Sequence, residues 1–513
     1  MKRLVLALTL SFGAGDALGA DLLAVYQRAL QNDPQLREAE ATRLAALEAK
    51  PQALSALLPQ LSANGTISRE RDTGSQNQTE VVSLPTCAAG TTVGAGGIPC
   101  APVGTSNSLF ESFPFSGDIN TTTHKYTLDL RQNLFRWENW VALQRADSQV
   151  AQAEADYQAA KQDLMERVAQ RYFDVLGAQD DVDAQQVALI SVTRQLEQAE
   201  ARYEIGLIAV TDVEEARASH DTTAAAVIAG KRTLASTLEL LREITGDLFD
   251  YLARPNEPFE LANPDPISED RWVDMALQQN LSLVSSRLAA DIARENVSSA
   301  RGGHYPSLDL VGSAGHLSTN GVDTFPDGSP AGGQTIDQNQ RSIGIQLTFP
   351  LYSGGMVSSQ VRQATYQHRA AKERLERVAR QTEHDARDAY LGVLSEISRV
   401  KALRRASESN MTSLKATESG YEAGTRTAVD VLQSRQQWVQ AQTDYAHSRY
   451  DYMINVIKLQ QAAGILSEET LQKLNALLND SPPQPTPPPV ARAPTTSVPP
   501  LSPPAAPAPT AAR

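Results

Sequence analysis

Cysteine is nearly missing from this chain, with only Cys87 and Cys100 among 513 residues. Two cysteines without a neighbouring histidine make a poor zinc site. Aromatic side chains are 5% of the sequence, too few for a thick globular core. The abundance of Ala, Gln, Glu and Arg instead suits long helices in close contact. Proline is absent from residues 136–254 and again from residues 351–481. An interior proline removes a hydrogen bond and clashes with the preceding turn, so its absence leaves room for uninterrupted helices. The formal charge is -14, which excludes a nucleic-acid partner, since that needs clustered Lys and Arg. The 7 histidines are scattered, with no His-Glu-x-x-His, nucleophile elbow or phosphate loop. These absences argue against an enzyme, a resident metal and a cofactor.

At the start, Met1-Lys2-Arg3 precedes the short apolar stretch Leu4 to Leu10, with small residues around Ala17 to Ala20. This reads as a secretory signal, residues 1–20, cleaved after Gly19 or Ala20. Its apolar part is too short to cross a bilayer as a helix. In an exported chain, Cys87 and Cys100 are candidates for a disulfide that closes a loop.

The chain also repeats itself. Tyr421, Glu422, Gly424 and Asp430 stand in register with Tyr203, Glu204, Gly206 and Asp212, 218 positions earlier. Each copy sits between two long helical runs, so both read as tight turns, with Gly206 and Gly424 supplying the turn conformation. Thr211 with Glu214, and Thr427 with Asp430, have the spacing of capping boxes. Strand-like alternation appears at Leu61, Ala63, Gly65 and Ile67, and again at Tyr126, Leu128 and Leu130. A late strand alternates Ile343, Ile345, Leu347 and Phe349 with polar neighbours. Four strands per chain are expected, over residues 57–72, 123–135, 304–319 and 338–352. A polar loop of residues 72–123 carries the cysteines. The repeats span 21–253 and 270–463, joined by a Pro-rich connector, 254–269. Residues 482–513 are rich in Pro, Ala and Thr and read as a disordered tail.

Four strands with one apolar and one polar face cannot close a barrel, and open edges are not tolerated in lipid. Strands pooled from two chains would number eight, and from three, twelve; both meet the minimum for closed outer-membrane barrels. A soluble sandwich also alternates, but long helices flanking isolated strand pairs are unusual there. A periplasmic adaptor with long helical hairpins is the second functional reading. It would require a globular β-rich domain between the hairpin arms.

Four stretches carry a resemblance: Gly206 to Val213, His304 to Leu310, Leu351 to Val357, and Ala423 to Leu432. With them the chain resembles the TolC family of outer membrane efflux proteins, over nearly all of its length except the cysteine loop and the tail. The resemblance implies a mixed α/β membrane protein, mostly a long α-helical coiled-coil barrel, with four transmembrane β-strands per chain. As a homotrimer it would complete a 12-stranded β-barrel in outer membrane lipid. The hairpins 136–247 and 354–463 would form a periplasmic tunnel, with 464–481 an equatorial segment. The implied partners are a periplasmic adaptor protein and an inner-membrane RND pump or ABC transporter, for drugs or secreted proteins.

It also implies a gate, in which Tyr421 and Arg426 bond to Thr211 and Asp212, within and between subunits. Asp430 would contribute an acidic ring at the aperture. The chain departs from the family pattern at Gln433, where a second aspartate ring would stand, and at Ala201, where a polar gate partner would.

Overall fold

The computed structural model describes residues 20–83, 86, 108–249, 251–256, 258–324 and 329–479. Cys87 and Cys100, the tail, and the signal segment apart from Ala20 lie outside them. Helix α1, Leu22–Asn32, ends at Asp33, whose side chain accepts from the Leu36 N–H and starts α2, Pro34–Leu47. Proline at the first helical position suits that start, because its missing N–H would have no partner there. Then come α3, Ala49–Ser55, and strands β1, Gln60–Ser83, and β2, Ser108–Phe135. Both strands run well into the polar stretch expected as loop. Antiparallel pairing needs only matched backbone groups, and here it continues from Gln60↔Arg131 to Ser83↔Ser108.

Helix α4, Trp137–Glu204, has 68 residues, about 100 Å of rod at 1.5 Å per residue. It turns into α5, Val210–Thr245, which ends on Gly246 in the left-handed conformation. A short strand β3, Arg254–Pro255, lies in the connector. The second half follows with α6, Glu269–Gln279, α7, Leu281–Gly302, β4, Ser307–Thr324, and β5, Pro330–Thr348. The 67-residue α8, Met356–Glu422, then turns into α9, Ala428–Ala462. Helix α10, Glu468–Asn475, and β6, Leu478–Asn479, end the described chain, with β6 paired to β3. Among the described residues, no helix is long and apolar enough to cross a membrane.

The main sheet has the order β1-β2-β4-β5, antiparallel throughout. Its register lines up Leu61, Leu130, Gly312 and Ile343 across four strands. The next row on the other face is Ser62, Asp129, Ser313 and Ser342. Side chains alternate faces along a strand, so one face is apolar and the other polar across the sheet. Ile343, Ile345 and Leu347 are 79%, 67% and 68% exposed in the single chain; a patch of this kind requires a cover. Where β2 passes into α4, a bulge lies between Asn133 and Phe135. There Asp309 is buried and accepts from Arg131 at 3.0 Å and Arg136 at 3.4 Å. Asn133 and Asn139 both donate to the Ala56 carbonyl, tying the base of β1 to the same junction.

The hydrophobic core gathers around the middle of the long helices. Leu22, Val25 and Tyr26 of α1 pack with Tyr172 and Phe173 of α4, Tyr450 and Met453 of α9, and Leu471 of α10. Phe173 stacks on Tyr450 with ring centroids 5.7 Å apart. Each such large side chain contributes about 1.5–3 kcal/mol by leaving water, so this belt is what joins the two repeats. Gly177 allows the close approach of α4 and α9, since a Cβ there would lie 2.8 Å from the His447 ring.

Candidate functional site

The sequence twins Gly206 and Gly424 sit at the ends of α4 and α8 with φ of 73° and 74°. A side chain in that region strains the backbone, which glycine avoids. The hydrogen bonds around them are also twins. Gly206 N–H reaches the Tyr203 carbonyl and Leu207 N–H the Arg202 carbonyl, at 2.8 and 2.9 Å. In the second turn, Gly424 N–H reaches Tyr421 and Thr425 N–H reaches Gly420, at 3.0 and 2.8 Å. These bonds satisfy the carbonyls left open at a helix C-terminus. One turn above, Arg217 pairs with Glu200 and, at the matching positions, Arg435 pairs with Glu418. Each hairpin is therefore stapled to itself by the same ion pair.

The helices that leave the turns start differently. Helix α9 begins on a true capping box, in which Thr427 Oγ1 accepts from the Asp430 N–H and Asp430 accepts from the Thr427 N–H at 2.9 Å. The Asp430 carboxylate accepts from the Thr427 N–H and also from the Thr427 hydroxyl at 3.0 Å, and these two bonds, in that order, hold it below its ordinary pKa; nearby Arg426 adds to this. Helix α5 has no such box, contrary to the pattern read at Thr211 and Glu214. Its extended cap residue is Ala209, which has no side-chain oxygen, and Thr211 already lies inside the helix. Glu214 instead accepts from Arg217 at 3.0 Å. Asp212 does lie in the first turn of α5, where a carboxylate meets the positive end of the helix dipole.

Tyr421 is engaged inside the chain, though not by Thr211 or Asp212. Arg202 donates to its phenol oxygen at 2.7 Å, and the guanidinium carbon lies 5.4 Å from the ring centroid. Arg426 folds its stem over Gly420: an added Cβ at Gly420 would lie 2.9 Å from Arg426 Cγ. The five residues expected at the gate are thus split between the turns, with Thr211 and Asp212 at the first and Tyr421, Arg426 and Asp430 at the second. Arg202 was missed. The available signal was a cation directly before Tyr203 whose repeat twin is glycine.

A second polar cluster joins the repeats near the core. Tyr450 donates to Asp180 at 2.6 Å, and Arg254 bridges Asp180 and Asp183 at 3.3 and 2.7 Å. Burial pushes the Asp180 carboxyl above its ordinary pKa, while Tyr450 and the arginines pull against it. His447 Nε2 lies 3.0 Å from Asp181. That hydrogen bond raises the imidazole's pKa despite partial burial.

Long self-stapled hairpins below an amphipathic, open-edged sheet define a membrane channel subunit. The outer membrane efflux protein family profile matches residues 25–247 and 272–465, and the chain belongs to that family. It is 33% identical to outer membrane protein TolC of Escherichia coli K12, with 93% of this chain and 90% of that protein covered. It is 28% identical to the alkaline protease secretion protein AprF of Pseudomonas aeruginosa, covering 93% and 92%. The fold matches the Campylobacter jejuni CmeC outer membrane channel with a TM-score of 0.67 at 19% identity, over 92% of this chain and 94% of that one. The protein is accordingly an outer membrane channel that extends into the periplasm, and neither an enzyme nor an adaptor.

Proposed function

We propose that three copies of this chain close into one passive exit duct, with a twelve-stranded barrel in the outer membrane and a helical tunnel below it. The observation that carries this reading is the pair of free sheet edges. Strands β1 and β5 bound the sheet on opposite sides and run in opposite directions, so β5 of one copy can pair antiparallel with β1 of the next. Such head-to-tail contacts make rings when the rotation closes, and three is the number implied by the family resemblance. The apolar rows then meet lipid and the polar rows line water.

The cargo is drugs, secreted proteins or both. The periplasmic end meets an adaptor protein and, through it, an inner-membrane RND pump or ABC transporter. The likeness to both an efflux family and a protease secretion protein supports this range. The two turns form the closed end. There Tyr421 and Arg426 link to Asp212 and Thr211, including across subunits. A phenol donates to a carboxylate, and a guanidinium can bridge a carboxylate and a hydroxyl. Each exposed link contributes about 0.2–1 kcal/mol; threefold repetition holds a closed state that a docked partner can overturn. Asp430 from three copies forms one acidic ring, which favours cations.

Planar-bilayer conductance of the purified protein tests the reading. The wild type should show a small, long-lived conductance, and Tyr421→Phe combined with Arg426→Ser should raise it and admit large antibiotics such as vancomycin. Wild-type conductance from a properly assembled double variant would remove the gate assignment. No conductance from well-folded wild type would remove the pore.

A further inference from the structure

Arg202 occupies a place where the two repeats differ in kind. Its twin in the second repeat is Gly420, while its neighbour Tyr203 is matched by Tyr421. The first turn therefore offers an arginine and a tyrosine, and the second a glycine and a tyrosine. Inside one chain the arginine of the first turn reaches the tyrosine of the second, with the 2.7 Å hydrogen bond and the ring contact at 5.4 Å. The mirrored link, from position 420 to a Tyr203, cannot form, because glycine has no side chain to send. The space over Gly420 is taken by the stem of Arg426.

We infer that Arg202 is a latch of the aperture, and that this latch lies at the junction between hairpins inside each protomer and not at the junction between protomers. The inference rests on the reading that the turns form the closed end of the tunnel. In a ring of three chains, six hairpins meet at six junctions, three within chains and three between them. The Arg202–Tyr421 link can occupy only the first three. Each hairpin is held to itself by Glu200–Arg217 or Glu418–Arg435, so a hairpin moves as a unit. A movement that swings α8 and α9 away from α4 and α5 of the same chain must break the latch; a movement that only parts neighbouring chains need not.

The latch also aims Tyr421. Its phenol oxygen accepts from Arg202, which leaves the phenol proton free to be donated to a carboxylate such as Asp212. Arg202 thereby acts through Tyr421 as a positioning residue. An arginine stacked and hydrogen-bonded at once is held in one geometry, which a lysine reproduces only in part.

The test is bilayer conductance of the full-length assembled protein, with assembly checked by crosslinking. Arg202→Gln should raise the time-averaged conductance severalfold, and Arg202→Lys should return part of the way to wild type. Adding Arg202→Gln to Tyr421→Ala should raise conductance no further than Tyr421→Ala alone. An additive rise would overturn the inference, since Arg202 would then act somewhere other than on Tyr421. Wild-type conductance from Arg202→Gln, with a rise from Tyr421→Ala, would overturn it while leaving the gate reading intact. If Tyr421→Ala and the Tyr421→Phe, Arg426→Ser variant also behave as wild type, the gate reading falls and the latch with it.

Discussion

The two hairpin turns share a backbone and differ in their side chains, and the difference assigns each a separate task. Glycines at φ of 73° and 74°, twin carbonyl bonds and twin ion pairs make the turns interchangeable as architecture. What is not repeated is chemistry. Position 209 is Ala where 427 is Thr, and position 202 is Arg where 420 is Gly. The second turn is fastened to its own helix by a capping box; the first sends its cation across to the other hairpin. Duplication supplied a rod that could be built twice, and divergence at a few positions separated the part that holds its shape from the part that reaches out.

The largest expected effect tests the shared part. Gly206→Val and Gly424→Val both place a β-branched residue at positive φ, where each should cost about 1–2 kcal/mol. Hydrogen exchange at the tips should quicken equally in both variants. A much smaller effect at one turn would show that the turns are not equivalent as backbone.

Next in size is the cap. Thr427→Ala should destabilise the start of α9 by about 1 kcal/mol, whereas Thr211→Ala should stay within about 0.5 kcal/mol. Local exchange of the first amides of α5 and α9 would read the contrast. Equal effects would mean that Thr211 caps a helix after all.

The smallest effect concerns pH, and only one repeat should show it. His447 has Ala229 as its twin, and its partner Asp181 has Arg399. The hydrogen bond that His447 donates to the Asp181 carboxylate raises the pKa of His447 above its unfolded value, so the protonated pair favours the folded state. That contribution is fully present below about pH 6.5, the unfolded value, and fades as pH rises through the higher folded value. Thermal melting of His447→Gln should therefore fall below wild type in acid and converge with it at higher pH. A constant gap across pH would show that packing against Gly177, and not the charge, is what His447 provides.

Much of the fold was legible because its signals are periodic. The alternation at Leu61 to Ile67 and Ile343 to Phe349 reports a sheet with two unlike faces, and the proline-free runs report rods. The turns declared themselves by repetition at Gly206 and Gly424. Other features leave no periodic trace. Beyond the apolar band, β1 and β2 continue through Asp72 to Ser83 and back from Ser108, where the sequence of β1 is rich in Gly, Ser, Thr, Asn and Gln, a composition shared by loops. Thr211 followed by Glu214 looks like a cap because spacing does not reveal which residue adopts the extended backbone; that residue is Ala209. The meetings of Arg202 with Tyr421 and of Asp180 with Tyr450 join residues more than 200 positions apart. Such pairs are set by how the rods lie together. Likewise, Asp430 was expected at an aperture, and the structure shows the cap that fixes its carboxylate.

The sheet has a property that bears on when it can form. Over residues 60–73, 120–135, 307–322 and 335–348 of its strands, Asp309 is the one buried side chain, and no apolar side chain is buried within the single chain. The helices, by contrast, carry a full core around Tyr26, Tyr172 and Met453. Maturation therefore has two stages of different molecularity. The rods can settle in water as a unimolecular event, at a rate indifferent to how many copies are present. The strands gain their missing neighbours only when copies collide, so barrel closure, entry into lipid and the counting of subunits are a single concentration-dependent step.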